Sequence, residues 1–176
     1  MKSKHIVIQV DIDVGTQWGD SRTINPIREI FIPSVKQYCK KFNYDHLLIT
    51  ESTYEKKYSN FDFLETKNKH YSFERYFHFI NNYDFTIYLD NDVYVYPDAQ
   101  EFPEINGLMN VREPEGNSSK IFREVNNLNK DYKYFNSGVT FCDKNTANIL
   151  STYMIYRLNN KIRSKGKNSD NMLLNE

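Results

Sequence analysis

The sequence predicts an α/β fold, in which a mostly parallel central sheet is flanked by helices within a single domain over residues 1–176. Short apolar runs rich in β-branched and aromatic residues alternate with longer segments of helical spacing. Acids, amides and glycines follow several of the short runs, where open α/β sheets form their ligand sites. The chain shows no internal repeat, low-complexity tract or linker.

Composition narrows the possible function classes. Hydrophobic residues make up 39% of the chain and aromatic residues 15%, which excludes a disordered protein. The formal net charge is zero, so nothing indicates a nucleic-acid partner. No apolar run approaches the ~20 residues of a membrane helix, and the N-terminus becomes acidic too soon for a signal peptide. We therefore expect a cytoplasmic protein in which Cys39 and Cys142 are reduced and buried, and the oligomeric state stays open.

The first part of the chain predicts two strands around a helix. A strand over His5–Asp11 ends in a loop, Asp11–Gly19, that contains two glycines. Helical spacing follows over Pro26–Phe42, where the internal Pro33 should kink or break the helix. A second strand is predicted over Tyr44–Thr50.

The middle of the chain predicts the central strand of the sheet. Glu51–Asn68 is polar and aromatic without a clear period and is predicted as a loop. A helix over Lys69–Asn82 then leads to Phe85–Leu89, a short β-favouring run that is typical of a buried strand. A loop over Pro97–Pro103 follows.

The remaining segments alternate in the same way. A strand over Ile105–Val111 precedes a helix over Ser118–Leu128, and Tyr134–Asp143 is predicted as a turn that runs into a strand. The longest helix is expected over Asn145–Ile162, and a last helix begins at Ser169.

Two carboxylates at the end of the central strand give the strongest chemical signal. Asp90 and Asp92 are separated by one residue and follow Leu89 directly. Asp is a poor strand former, so a pair at this position needs a reason other than folding. Neighbouring carboxylates repel each other unless a cation lies between them, and hard divalent cations prefer oxygen ligands. The motif predicts a metal site, although Asp11 and Asp13 form a second, competing pair.

Four polar clusters fall at predicted strand ends or helix starts: Asp11–Gln17, Asp90–Asp92, Asn136–Gly138 and Asp170–Asn171. In a doubly wound sheet such ends meet at one edge. Acids at that edge would hold a cation, amides would bond hydroxyl groups, and a glycine would allow close approach of a ligand. The combination predicts a metal-bridged ligand that is rich in hydroxyl groups.

The same motifs resemble those of glycosyltransferases with the GT-A (Rossmann-like) fold, and of glycosyltransferase family 8 in particular. Tyr88–Val93 is similar to the family's D-x-D strand, and Phe135–Val139 to its Asn-small-Gly motif before a sheet strand. Ser169–Asn171 resembles the Asp-Gln element that opens a later helix. The three motifs match in order and approximate spacing over roughly residues 5–175.

The resemblance implies transfer of a hexose or deoxyhexose from a nucleotide diphosphate sugar, UDP- or GDP-linked, to a glycan, protein-linked or other hydroxyl acceptor. It implies Mn²⁺ or Mg²⁺ as a cofactor, with Asp90 and Asp92 as ligands; Asp90 would alternatively bind ribose or sugar hydroxyls. Asn136 and Gly138 would line the sugar pocket, and Arg75 would contact phosphate or sugar.

Further roles follow from the same resemblance. Asn91 would belong to the donor-binding set, and Asp170 would hold a donor-sugar hydroxyl or face the reaction centre. Asn171 stands where the family has Gln and is one methylene shorter. The first loop would receive the nucleoside. Its residues expected to bond base and ribose are Asp11, Asp13, Thr16 and Gln17, while Trp18 would stack on the base or pack in the core.

The sequence departs from the family pattern at two points. The family's metal-ligating His downstream of the Asp-Gln element has no counterpart, because every His precedes the D-x-D motif. The acceptor-binding part is expected to be short or missing, which leaves open both the acceptor and the stereochemical outcome. A base for an inverting reaction would be a carboxylate, and those available are Asp170, Glu113 and Glu115.

Two other functions remain open from the sequence. Val10–Thr16 resembles the nucleophile motif of haloacid-dehalogenase-type phosphatases, in which Asp11 would attack phosphorus, although Val14 is inserted before Gly-Thr. The other alternative is a non-catalytic module that binds sugar nucleotides or glycans. A phosphoaspartate at Asp11 would indicate the first, and binding without turnover would indicate the second.

Overall fold

The computed structural model describes residues 4–12, 26–53, 73–112, 117–129 and 131–160. Three predicted elements lie wholly or mostly outside these ranges: the first loop beyond Ile12, the segment Glu51–Asn68 and the last helix from Ser169. The described helices include none that is both long and apolar enough to cross a membrane.

Within the described ranges, the strands are β1 (His5–Val10), β2 (Asp45–Ile49), β3 (Phe85–Leu89), β4 (Leu108–Arg112) and β5 (Phe135–Asp143). They form one sheet in the order β2-β1-β3-β5-β4. Strand β1 pairs in parallel with β2 and β3, whereas β5 runs antiparallel to both β3 and β4. Four strands therefore share one direction, and β5 is reversed between two of them.

The reversal of β5 corrects part of the predicted arrangement. The predicted mostly parallel sheet is confirmed where β2, β1 and β3 pair, whereas the antiparallel β5 departs from the doubly wound arrangement from which the meeting of the polar clusters was predicted. The predicted turn before β5 is already part of the strand, because Asn136 pairs with Val111 of β4. As a consequence, β5 begins at the edge where β3 ends, and a parallel β5 would have begun at the opposite edge.

Helices cover both faces of the sheet. In the described ranges they are a π-helical turn (Ile27–Phe31), α1 (Ile32–Phe42), α2 (Glu74–Phe79), α3 (Asn117–Val125) and α4 (Lys144–Asn159). The π-helical turn runs directly into α1, and the helix type changes immediately before Pro33. A proline there lies near the first turn of α1, where a missing backbone N–H is tolerated.

Two apolar clusters lie on opposite faces of the sheet, and β1 contributes to both because its side chains alternate. Ile6, Ile8 and Val10 pack with residues of α2 and α4, whereas Val7 packs with residues of α1. Every residue of β1 is buried, as expected for the centre of a sheet covered on both faces. Both cysteines, Cys39 and Cys142, are buried free thiols.

Candidate functional site

The candidate site lies where the end of β3 meets the start of β5. Leu89 pairs with Val139, and the Asp90 N–H donates to the carbonyl oxygen of Gly138 at 2.7 Å. The D-x-D motif and the Asn-Ser-Gly motif, which are distant in the sequence, are therefore in direct contact. The antiparallel pairing of β5 with β3 produces this contact.

Gly138 permits the close approach of the two strands. A Cβ atom at this position would overlap Oδ2 of Asp90 and would lie 2.8 Å from Oδ1 of Asn136. That Asn136 oxygen accepts a hydrogen bond from the Gly138 N–H at 2.6 Å, so the amide NH2 is the end that can donate to a ligand. Any larger residue at this junction would displace the carboxylate of Asp90 and the amide of Asn136.

The D-x-D motif forms a tight turn. The N–H of Val93 donates to the carbonyl oxygen of Asp90 at 3.1 Å, and the Tyr88 hydroxyl donates to Oδ1 of Asp90 at 2.8 Å. The side chain of Asp92 is exposed. Carboxylate oxygens on one turn have the ligand chemistry that Mn²⁺ or Mg²⁺ requires. The described ranges contain no group of three or more His, Cys, Asp or Glu that could hold a metal ion.

Asp11, at the end of β1, belongs to the same edge of the sheet. Its Oδ1 accepts a hydrogen bond from Nδ2 of Asn91 at 3.2 Å, and its Oδ2 accepts one from Nε of Arg28 at 2.9 Å. Its side chain is 13% exposed. Asn91 therefore connects the D-x-D turn to the first loop. Sequence reasoning missed Arg28, whose position in a helix start gave no indication of this ion pair.

Arg75, on α2, lies beneath the junction and is 1% exposed. Its Nη1 donates to the carbonyl oxygen of Ser137 and its Nη2 to the hydroxyl of Tyr76, each at 3.0 Å. Its guanidinium carbon lies 4.1 Å from the ring centroid of Tyr88, whose hydroxyl holds Asp90. A desolvated cation is unfavourable without such compensating groups. Arg75 is therefore not a surface residue, and its contact with phosphate or sugar stays a prediction.

A chain of two polar groups, buried Gln9 and half-buried His46, reaches the same turn from the other side of the sheet. Gln9 is 0% exposed, and its Nε2 donates to the carbonyl oxygen of Asp90 at 3.3 Å. Its Oε1 lies 3.0 Å from Nε2 of His46. Burial, with a smaller contribution from Lys36, lowers the pKa of His46 to about 4, so the ring is neutral near pH 7 and its Nε2–H donates to Gln9. Sequence reasoning did not identify this chain; the one indication of it was Gln9, a glutamine inside an apolar strand.

Glu74 fixes α2 next to this site. It is 0% exposed and accepts hydrogen bonds from the Ser52 hydroxyl and from the Thr53 N–H, the latter at 3.0 Å. A buried carboxylate needs such donors, so it ties the start of α2 to the chain that follows β2. Arg75 is the next residue, and its position beneath the junction depends on this attachment.

The structure brings together seven of the predicted site residues. Asp11, Asp90, Asn91, Asn136 and Gly138 lie at one edge of the sheet and Arg75 beneath it, while Asp92 continues the same turn. The predicted residues that lie outside the described ranges are Asp13, Thr16, Gln17, Trp18, Glu113, Glu115, Asp170 and Asn171.

Comparison with solved structures finds a crystal structure of a glycosyltransferase involved in the glycosylation of the major capsid of PBCV-1. The superposition has a TM-score of 0.51 at 18% sequence identity. The chain shares the fold of a glycosyltransferase. The match covers 86% of this chain and 66% of that one, so this chain spans slightly less than two thirds of the other's length. Comparison of the sequence with protein-family models and with curated proteins finds no match.

Proposed function

We propose that the chain is a metal-dependent glycosyltransferase. It would move a hexosyl or deoxyhexosyl group from a UDP- or GDP-sugar to a hydroxyl of a glycan or protein-linked acceptor, with Mn²⁺ or Mg²⁺ as its cofactor. The observation that carries this proposal is the contact between the D-x-D turn and Gly138 at the carboxyl edge of the parallel strands. The fold shared with a solved glycosyltransferase supports it, although fold alone does not establish function.

Each side chain at this edge has a chemical role in the proposal. Asp90 and Asp92 would hold the cation, which when bound neutralises charge on the diphosphate leaving group. The NH2 of Asn136 would donate to a sugar hydroxyl. The missing side chain of Gly138 leaves room for the Asp90 carboxylate, so that both motifs can line the sugar pocket. The buried cation of Arg75 keeps the start of β5 in place and adds positive potential beneath the site.

Asp11 is better suited to binding than to nucleophilic attack. Both of its carboxylate oxygens accept hydrogen bonds, from Asn91 and Arg28, and its side chain is 13% exposed. A nucleophilic carboxylate needs an oxygen that can reach phosphorus. The contacts of Asp11 therefore favour a role in positioning the D-x-D turn and the donor nucleoside over the phosphatase alternative.

The proposal is tested by thermal unfolding with UDP, GDP and other nucleotides, each with and without Mn²⁺. A ligand that binds only the folded state stabilises it, by about 2.7 kcal/mol at one hundred times its Kd. We expect one nucleotide diphosphate to raise the Tm, and to do so only when Mn²⁺ is present. Asp92→Ala should abolish this increase and leave the Tm of the unliganded protein nearly unchanged, because the side chain is exposed.

Asp98→Ala is the matched control, since Asp98 is an exposed acid in the loop that follows the D-x-D turn. It should respond to nucleotide and Mn²⁺ as the wild type does. An Mn²⁺-dependent increase that survives Asp92→Ala would contradict the metal assignment. Release of nucleotide from the sugar donor in Mn²⁺ then separates an enzyme from a module that binds the donor without turnover.

A further inference from the structure

The segment that follows the D-x-D turn presents two tyrosines to solvent. Val93 and Val95 pack against the apolar cluster beneath α1, whereas Tyr94 is 39% exposed and Tyr96 is 68% exposed. The two tyrosine rings lie 5.0 Å apart, almost perpendicular to each other. Burial of the valines accounts for the fold of this segment, but the exposed ring of Tyr96 adds little to folding.

Tyr96 borders a cleft of about 210 Å³ between this segment and α1. Gln37, Tyr38 and Lys41 line the cleft from α1, and Val95 and Tyr96 line it from the segment. The cleft thus combines an aromatic ring and apolar carbon atoms with an amide and an ammonium group, whereas the hydroxyl of Tyr38 already donates to the carbonyl oxygen of Gln100 at 2.7 Å.

Hydrogen bonds from α1 hold this wall of the cleft in place. Oγ of Ser34 accepts from the Val95 N–H at 3.0 Å, and Nζ of Lys41 donates to the carbonyl oxygens of Pro97 and Ala99, each at 3.1 Å. A wall that is already ordered lowers the entropy lost when a ligand binds.

One wall of the cleft continues to the candidate site. Tyr94 lies two residues after the D-x-D motif, and its ring centroid is 6.3 Å from that of Phe31. Phe31 ends the π-helical turn that also carries Arg28, the partner of Asp11. The segment that carries Tyr96 therefore leads directly to the edge where the donor is proposed to bind.

We propose that this cleft is a subsite for one sugar ring of a glycan acceptor, an inference that rests on the proposed function. A sugar ring has an apolar C–H face that packs on an aromatic ring, and hydroxyl groups around its rim that need both donors and acceptors. Tyr96 supplies the ring, the amide of Gln37 donates and accepts, and Lys41 donates. Among the described lining residues an anionic ligand would find one cation, Lys41, whose ammonium already bonds two carbonyl groups.

The test compares the wild type with Tyr96→Ala, Tyr96→Phe and Tyr156→Ala on a glycan array, followed by titration of the strongest-binding oligosaccharide. Tyr156 is the matched control, because it is 56% exposed on α4. We expect Tyr96→Ala to weaken glycan binding about tenfold through loss of the stacking ring. Tyr96→Phe should retain most of the affinity, and Tyr156→Ala should equal the wild type. All variants should keep the wild-type Tm, since both side chains are exposed.

Three results would overturn the subsite. They are absence of glycan binding by the wild type, equal binding by Tyr96→Ala, and a loss of nucleotide affinity in Tyr96→Ala, which would place the donor in the cleft. Donor turnover by the wild type is measured separately. If it is absent while binding of glycan still depends on Tyr96, the proposed function fails and the subsite stands. If donor turnover occurs without Tyr96-dependent binding, the subsite fails alone.

Discussion

Gly138 and Gly107 show two different physical reasons for a glycine. Gly107 has a φ of +93°, which residues other than glycine rarely adopt. A Cβ atom at this position would lie in open space. Gly138 has a neighbour instead: a Cβ atom would overlap Oδ2 of Asp90. The first glycine is needed for the backbone before β4, and the second for the packing of two motifs.

We expect Gly138→Ala to abolish most of the Mn²⁺-dependent nucleotide stabilisation, because the added methyl group must displace the Asp90 carboxylate. Gly107→Ala should instead affect stability and not binding. It should lower the free energy of unfolding by about 1–2 kcal/mol through backbone strain, and the response to nucleotide should stay as in the wild type. Chemical denaturation and thermal unfolding with nucleotide measure the two effects. A normal nucleotide response in Gly138→Ala would show that the Asp90 position is not critical.

The residues of the site differ in how far sequence alone could identify them. Asp90 and Asp92 could be found because acids at the end of an apolar strand conflict with strand propensity. Arg75 was expected at the donor, and its position in the sequence could not place it beneath Ser137 and Tyr88. Burial of a charged residue depends on partners from other elements, which local spacing does not encode.

At the scale of elements, the corner between β5 and α4 depends on one carboxylate. Oδ1 of Asp143 accepts from the Thr146 N–H at 2.7 Å and caps α4, and Oδ2 accepts from the Gly107 N–H at 2.6 Å. The bond from Thr146, then that from Gly107, lowers the pKa of Asp143. The group is therefore fully ionised near pH 7, and its contribution to stability is lost only as the pH falls below its ordinary value of 3.8.

We expect Asp143→Ala to lower the free energy of unfolding by about 1–2 kcal/mol at pH 7, since a helix cap is lost together with a strand contact. Asp143→Asn keeps an acceptor for the cap and should lose less. Denaturation by urea measures both, with Asp98→Ala as the surface control. Equal stability of Asp143→Ala and Asp98→Ala would mean that the cap contributes nothing to the corner.

The orientation of α4 was harder to predict than its existence. Its apolar residues cover more than one face, and Ile149, Tyr153 and Tyr156 are exposed in the structure. The buried side instead includes the small residues Ala147 and Ser151, the latter bonded to the carbonyl oxygen of Tyr76 on α2 at 2.5 Å. Small residues allow two helices to approach closely. A hydrophobicity scale gives them low values, so it does not identify the side of α4 that is buried.

At the scale of the whole molecule, the site depends on strand direction. Alternating strands and helices predicted the layers and the parallel centre, because each pattern is local in the sequence. The direction of β5 is not local: it depends on how the chain between β4 and β5 returns to the sheet. The D-x-D and Asn-Ser-Gly motifs were expected to meet because strand ends share one edge of a doubly wound sheet. They meet instead because β5 runs antiparallel to β3, which brings Asn136, at the start of β5, to the end of β3.

One buried and two half-buried histidines should make the stability of the whole molecule depend on pH. Burial lowers the pKa of His5, His46 and His78, with His46 lowered from 6.5 to about 4. Between these two values the unfolded chain binds a proton at His46 that the folded chain does not, so stability rises with pH across this window and is lost as the pH falls from about 6.5 to about 4. For His46 the loss is on the order of 2–3 kcal/mol.

His46→Gln isolates this contribution, because the amide nitrogen of Gln stands the same number of bonds from the backbone as Nε2 of His and does not titrate. The variant can still donate to Gln9, and so to the chain of groups that holds the Asp90 carbonyl. We expect near wild-type stability at pH 7.5 and a shallower loss between pH 6.5 and 4 in urea denaturation. His5 and His78 should leave a residual slope. If the stability of His46→Gln fell with pH as steeply as that of the wild type, the pKa of His46 would not be lowered by folding. The protonated ring would then still donate from Nε2, and the link to Asp90 would persist in acid.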